Sequence, residues 1–74
     1  MALVTNLHEG FKNRHSIHKQ TECSYFIVYD GDKKYLQLET TGSEDRAIPG
    51  KVSQSIQFSP EAIKQLKKLL LDKF

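Results

Sequence analysis

Residues 25–39 read YFIVYDGDKKYLQLE, and how this stretch folds decides the rest. Aromatic and β-branched residues crowd its first half, and the second half alternates apolar with polar, so both read as strands. Between them stands Asp30-Gly31, a hairpin signal, because glycine accepts positive φ at no steric cost. Taken with its flanks, the outgoing strand is ECSYFIVY from Glu22 and the returning strand is KYLQLET from Lys34. Side chains alternate along each strand, which predicts one face carrying Phe26, Val28, Leu36 and Leu38. The other face then receives Cys23, Tyr25, Ile27 and Tyr29, followed by Tyr35, Gln37 and Glu39. All three tyrosines of the chain would stand together on the side away from the leucines.

Toward the C-terminus, TGSEDRAIPG reads as a loop, marked by Gly42, Pro49, Gly50 and its charges. KVSQSIQF is the next strand, with Val52, Ile56 and Phe58 alternating with serines and Gln57, and with Gln54 interrupting the apolar side. SPEAIKQLKKLLLDKF is the clearest element. Ser59 suits the N-cap and Pro60 the first helical position, and Glu61 complements the positive helix end. Phe58 and Ile63 are spaced for a hydrophobic staple. Ile63, Leu66, Leu69, Leu70 and Phe74 recur at helical spacing. Toward the N-terminus, Leu3, Val4 and Leu7 are compatible with a short strand or helix before Gly10 interrupts. The expected organisation is a poorly defined arm or first strand over 1–20 and a single sheet-plus-helix domain over 21–74. The fold class that follows is α+β, a curved antiparallel sheet of about four strands with one C-terminal helix.

Composition bounds the function. Seventy-four residues leave room for one domain, and a monomer of that size buries little surface, which favours a homodimer. Net charge is +2, from eleven Lys and Arg against nine Asp and Glu, too mild to announce nucleic acid by itself. Cys23 is the only cysteine, so no intrachain disulfide forms and a reducing cytoplasm suits the chain. The opening MALVTNLHEGFKN lacks the long apolar core of a signal peptide, and no apolar run reaches the ~20 residues that span a bilayer. A soluble cytoplasmic protein without a membrane partner is expected.

The chemical motifs are thin. His8, His15, His18 and Cys23 include a histidine pair in HSIH, but with one cysteine there is no finger pattern and no metal site is expected. GSEDRAIPGKVS holds a Gly-Lys pair without the glycine spacing or following helix of a phosphate loop. Cys23 has no evident activating neighbour, and Glu44 with Asp45 read as solvated loop acids. Nothing assembles nucleophile, base and orienter, so neither an enzyme nor a cofactor is expected.

What remains is the tyrosine face. Tyr25, Tyr29 and Tyr35 would form a stacking platform for unpaired bases, with Lys33, Lys34, Arg46 and Lys51 holding the phosphates. Glu39 on that face opposes the phosphates. The alternative is a protein-interaction or inhibitory module that docks a partner through the same tyrosines. The hairpin YDGDKKYLQL, the loop closing in IPGK, the strand VSQSIQF and the helix opening SPEAIKQLKKLL together resemble the single-stranded-DNA-binding domain of the transcriptional coactivator positive cofactor four and its small bacterial relatives. The resemblance spans residues 25–72 and implies four antiparallel strands followed by a helix. It also implies dimers whose helices pack together and whose paired sheets present a curved groove to unpaired DNA. On the resemblance, Tyr29 takes the place of the aromatic before the hairpin glycine, Lys33 and Lys34 that of the basic residue after it, and Lys51 lies in the basic loop. The chain departs from the family in lacking any tryptophan. The expected function is low-specificity binding of single-stranded DNA, or RNA, in transcription, repair or replication.

Overall fold

The computed structural model describes residues 1–41 and 51–74. Its elements are β1 (Ala2–Val4), β2 (Cys23–Asp30), β3 (Lys33–Thr40), β4 (Gln54–Phe58) and α1 (Pro60–Lys73). The fold is α+β with one C-terminal helix. The four strands form a single sheet in the order β1-β4-β3-β2. β2–β3 and β3–β4 are antiparallel, as expected, but β1 pairs with β4 in parallel. The sheet is therefore mixed. Three residues at the N-terminus supply that parallel edge strand, and a long segment without regular structure leads from it to β2.

The hairpin turns on Gly31 and Asp32 alone, since Asp30 pairs directly with Lys33. Gly31 has φ of 63°, and no other described residue has positive φ. Glycine at the first central position of a two-residue loop is the type II′ arrangement, whose twist matches that of the flanking strands. A two-residue loop pairs residues of opposite parity, and this overturns the expected faces. Tyr25 lies opposite Leu38, Ile27 opposite Leu36, and Tyr29 opposite Lys34. Phe26 lies opposite Gln37 and Val28 opposite Tyr35. The expected grouping of Phe26 and Val28 with the leucines would have required an odd number of loop residues. The two faces instead divide the tyrosines: Tyr25 and Tyr29 join the leucines, and Tyr35 goes to the other side.

β4 begins at Gln54, so Val52 falls outside the strand. Leu36 pairs with Phe58, Leu38 with Ile56 and Thr40 with Gln54, and β1 adds Ala2 beside Ile56 and Val4 beside Phe58. One face thus carries most of the apolar residues of the four strands, while Leu3, Phe26, Val28 and Tyr35 alternate to the opposite one. The other carries a polar ladder in its middle, where Gln57 Nε2 donates to Gln37 Oε1 at 2.8 Å and Gln37 Nε2 donates to Glu39 Oε2.

The helix begins as its sequence directs. Ser59 is extended at the N-cap and its hydroxyl accepts from the Ala62 amide at 3.2 Å, while Pro60 occupies the first turn, where its missing N–H costs nothing. The Ser59 amide donates to the Val4 carbonyl, which ties the helix entry to the end of β1. Farther along, Gln65 accepts from the Leu7 amide and donates to Asn6 Oδ1, so the chain beyond β1 is held against the helix. α1 contacts β3 and β4. Its first half is the better packed. Ala62 is fully buried and Ile63 and Leu66 are half-buried, whereas Leu69 to Leu71 are exposed.

The interior is correspondingly small. Ala62 is the only buried hydrophobic residue among those described. The accessible surface of 6919 Å² compares with roughly 4,700 Å² for a compact monomer of this mass. The radius of gyration of 14.5 Å compares with roughly 11 Å for a compact chain of this length. Two open concavities lie on opposite sides of the sheet, one over Gln37, Ser55 and Gln57 and the other over Leu38, Thr40 and Ile56, and no residue of α1 lines either. The helix leaves that end of the sheet bare on both faces.

Two substitutions test the local signals. Gly31→Ala forces a Cβ into left-handed φ and should cost about 1–2 kcal/mol, while Ser59→Ala removes the cap and should cost about 1 kcal/mol. Urea unfolding at one fixed protein concentration measures both; equal stability to the parent for Gly31→Ala would contradict the turn.

Candidate nucleic-acid interface

β2 is an edge strand, and that position is what exposes its side chains. Tyr25 is 71% exposed, Ile27 58% and Tyr29 64%. All three alternate onto the face shared with the leucines of β3. Tyr25 and Tyr29 are four residues apart, roughly 13 Å along an extended strand, with Ile27 between them. Their rings are therefore separate platforms on one continuous apolar strip.

Lys34 is the cation of this strip. It is the direct cross-strand partner of Tyr29, and its Nζ is 5.8 Å from the centroid of the Tyr29 ring, within the range of a cation–π contact. This register places a positive charge beside a ring that is mostly open to solvent. Lys34 is exposed, and among the described residues the only ion pair joins Lys64 to Glu61. Lys34 is accordingly free of any described carboxylate.

The other expected residues are placed elsewhere. Lys33 alternates to the opposite face, where its cross-strand partner is Asp30. Tyr35 is half-buried on that same opposite face, next to Val28. Glu39 also lies there, accepting from Gln37, so the acid that opposed phosphate binding does not share a face with Tyr25 and Tyr29. Lys51 is exposed in the approach to β4. Two residues on, the Ser53 amide donates to the Thr40 carbonyl at 2.7 Å, which sets Lys51 near the end of β3 that is far from the turn. Lys34 and Thr40 are six residues apart, roughly 20 Å along β3. Arg46 lies outside the described residues.

The structure thus brings together Tyr25, Tyr29 and Lys34, and separates Lys33 and Tyr35 from them. Ile27 belongs with the first group, although reading the sequence for tyrosines and lysines passes over it. Its signal is present in the alternation itself, since it stands midway between the two tyrosines.

No catalytic grouping appears in the described residues. Cys23 is exposed, and its thiol is 3.6 Å from the Ser24 carbonyl, with no base against it. Among the described residues no three His, Cys, Asp or Glu side chains lie close enough to share a metal ion. No helix among them is long and apolar enough to cross a membrane.

Set against known proteins, the chain matches no family model, no curated protein and no solved structure.

Proposed function

We propose that this chain binds single-stranded nucleic acid, DNA before RNA, with little sequence preference. The observation that carries the reading is the exposure of Tyr25 and Tyr29 on one face of an edge strand, with the Lys34 ammonium beside the Tyr29 ring. Each base has a π-face, so a base stacked on an exposed tyrosine gains attraction whatever its identity. Two rings ~13 Å apart receive bases from non-adjacent nucleotides of an extended strand, and the intervening Ile27 gives the sugar between them an apolar bed. Lys34 at one end and Lys51 near the other supply cations for the backbone. Duplex DNA has no free base faces to offer along its length, so discrimination against it follows from the same contacts. A role in transcription, repair or replication, in the reducing cytoplasm, is in keeping with this chemistry.

A rival reading draws on a different observation. Phe26, on the other face of β2, is 45% exposed, and nucleic acid stacked on the tyrosines makes no use of it. A protein partner, or a second copy of the chain, would.

Tyr25→Ala and Tyr29→Ala should each weaken binding to a mixed-sequence single-stranded oligonucleotide by ~1–3 kcal/mol, with a smaller fall in melting temperature than Tyr35→Ala produces. Tyr35→Ala should do the reverse, leaving affinity close to the parent and lowering stability, because its ring is half-buried on the other face. Fluorescence anisotropy and thermal melts on the three variants decide the matter; equal weakening of affinity in all three would remove the two-tyrosine platform. Lys34→Ala should reduce the slope of log affinity against log salt by about 0.7, the value for one phosphate that is no longer neutralised, whereas Lys33→Ala should leave that slope unchanged. Salt titrations from low to physiological ionic strength measure it.

A further inference from the structure

The free edge of β2 has the length and composition that natural sheets avoid leaving bare. It is eight residues long, contains no proline or lysine, and has a single charge at its very end, Asp30. Protected edges are short, charged, bulged or covered; this one is none of these among the described residues, since β2 stands last in the strand order. Its apolar residues are exposed on both faces, Tyr25, Ile27 and Tyr29 on one and Phe26 on the other. A ligand that lies on one face accounts for only half of this exposure. A strand added in the plane of the sheet accounts for both faces.

The backbone points the same way. In a two-residue hairpin the flanking pair, here Asp30 and Lys33, exchanges both of its hydrogen bonds. Counting back in twos, Val28, Phe26 and Ser24 also bond to β3. Tyr29, Ile27, Tyr25 and Cys23 therefore direct their N–H and C=O groups outward, to the open edge. We propose that this edge pairs antiparallel with the β2 edge of a second copy, about a two-fold axis at Ile27, so that two four-stranded sheets become one continuous sheet of eight.

The register follows from three conditions. A two-fold axis normal to the sheet keeps each face on its own side, so residues of equal parity must pair. The outward backbone groups belong to the odd-numbered residues, so those must form the hydrogen-bonded pairs. Finally, the apolar run Tyr25–Tyr29 is centred on Ile27, and only a two-fold there overlaps the run with itself from end to end. Ile27 then pairs with the Ile27 of the second copy, Tyr25 with its Tyr29, and Phe26 with its Val28. Each pair is apolar against apolar, and no like charges meet. The residues that would meet are uncovered among the described residues: Tyr25 is 71%, Phe26 45%, Ile27 58% and Tyr29 64% exposed.

This pairing deepens the nucleic-acid reading and, in that respect, rests on it: the platform becomes composite, with Tyr25 of one copy beside Tyr29 of the other on a common face. The pairing is made through backbone atoms in the plane of the sheet, which leaves the side chains on its faces for stacking. Binding then requires the dimer.

The test uses the whole chain, without nucleic acid. Sedimentation at micromolar concentration should give twice the chain mass of 8.5 kDa. Ile27→Pro removes an outward N–H and leaves the β2–β3 ladder intact, since proline is tolerated on an edge where its N–H would face solvent. Ile27→Lys supplies the charge that protected edges carry. Both should raise the dimer dissociation constant by about tenfold or more while circular dichroism keeps the native sheet signal. In a Cys23→Ser background, Ile27→Cys should oxidise to a covalent dimer, because a hydrogen-bonded pair sits ~5.5 Å apart between Cα atoms, inside the ~4.4–6.8 Å range of disulfides. Phe26→Cys, which faces Val28 of the second copy, should not. A parent chain that sediments as a monomer overturns the pairing. So does a dimer indifferent to both Ile27 substitutions, which would assign assembly to the exposed end of α1 around Leu70 and Phe74, and so does equal cross-linking by Phe26→Cys. Oligonucleotide binding is then measured separately. A dimer that binds none removes the platform and keeps the interface, and a monomer that binds tightly removes the interface and keeps the platform.

Discussion

The two-residue turn at Gly31 and Asp32 is the constraint on which the arrangement depends. With φ of 63° at Gly31, the chain reverses in the shortest loop that matches strand twist. The loop length sets the parity of every pair in the hairpin, because side chains alternate with a period of two. One more residue would send Tyr25 and Tyr29 to the side of Tyr35, Gln37 and Glu39, against a polar ladder that ends in a carboxylate. As it stands, they share a face with Leu36 and Leu38, and Lys34 is delivered over the Tyr29 ring. The electrostatics of the strip are thus a consequence of a backbone torsion.

A second constraint is scarcity of interior. The helix packs on β3 and β4, only Ala62 is fully buried among the described residues, and large side chains remain exposed along β2 and the second half of α1. A chain with so little core gains stability chiefly from what covers it. Exposure on β2 therefore bears on assembly and on ligand binding together. The two uses do not compete for the same atoms. The side chains project from the faces of the sheet and suit stacking, whereas the outward amides and carbonyls lie in its plane and suit a further strand. A strand at the edge of a sheet can serve both only if its side chains stay off the edge, which the pleat ensures.

The elements themselves are legible in the sequence because their signals are local. Ser59, Pro60 and the apolar spacing beyond them define α1 without reference to anything else in the chain. The crowding of Tyr, Phe, Ile and Val around Asp30-Gly31 defines the hairpin in the same way. The parallel pairing of Ala2–Val4 with β4 is not legible, for it joins residues more than fifty positions apart and three residues carry no period. The division of the tyrosines escapes for a subtler reason. Both possible registers satisfy the alternation of each strand taken alone, and only the loop length chooses between them.

From sequence alone, then, the chain determined its α+β class, the C-terminal helix with its cap, the position of the hairpin and the presence of an unusual set of tyrosines, since each of these rests on neighbours within a few residues. The tertiary structure decided which tyrosines stand together, that Lys34 rather than Lys33 accompanies them, that Glu39 is turned away, and that β2 is left as an open edge. Those outcomes depend on register and strand order, which are properties of pairs of segments. No single segment encodes them, because a strand's alternation says which residues share a side and not which side that is.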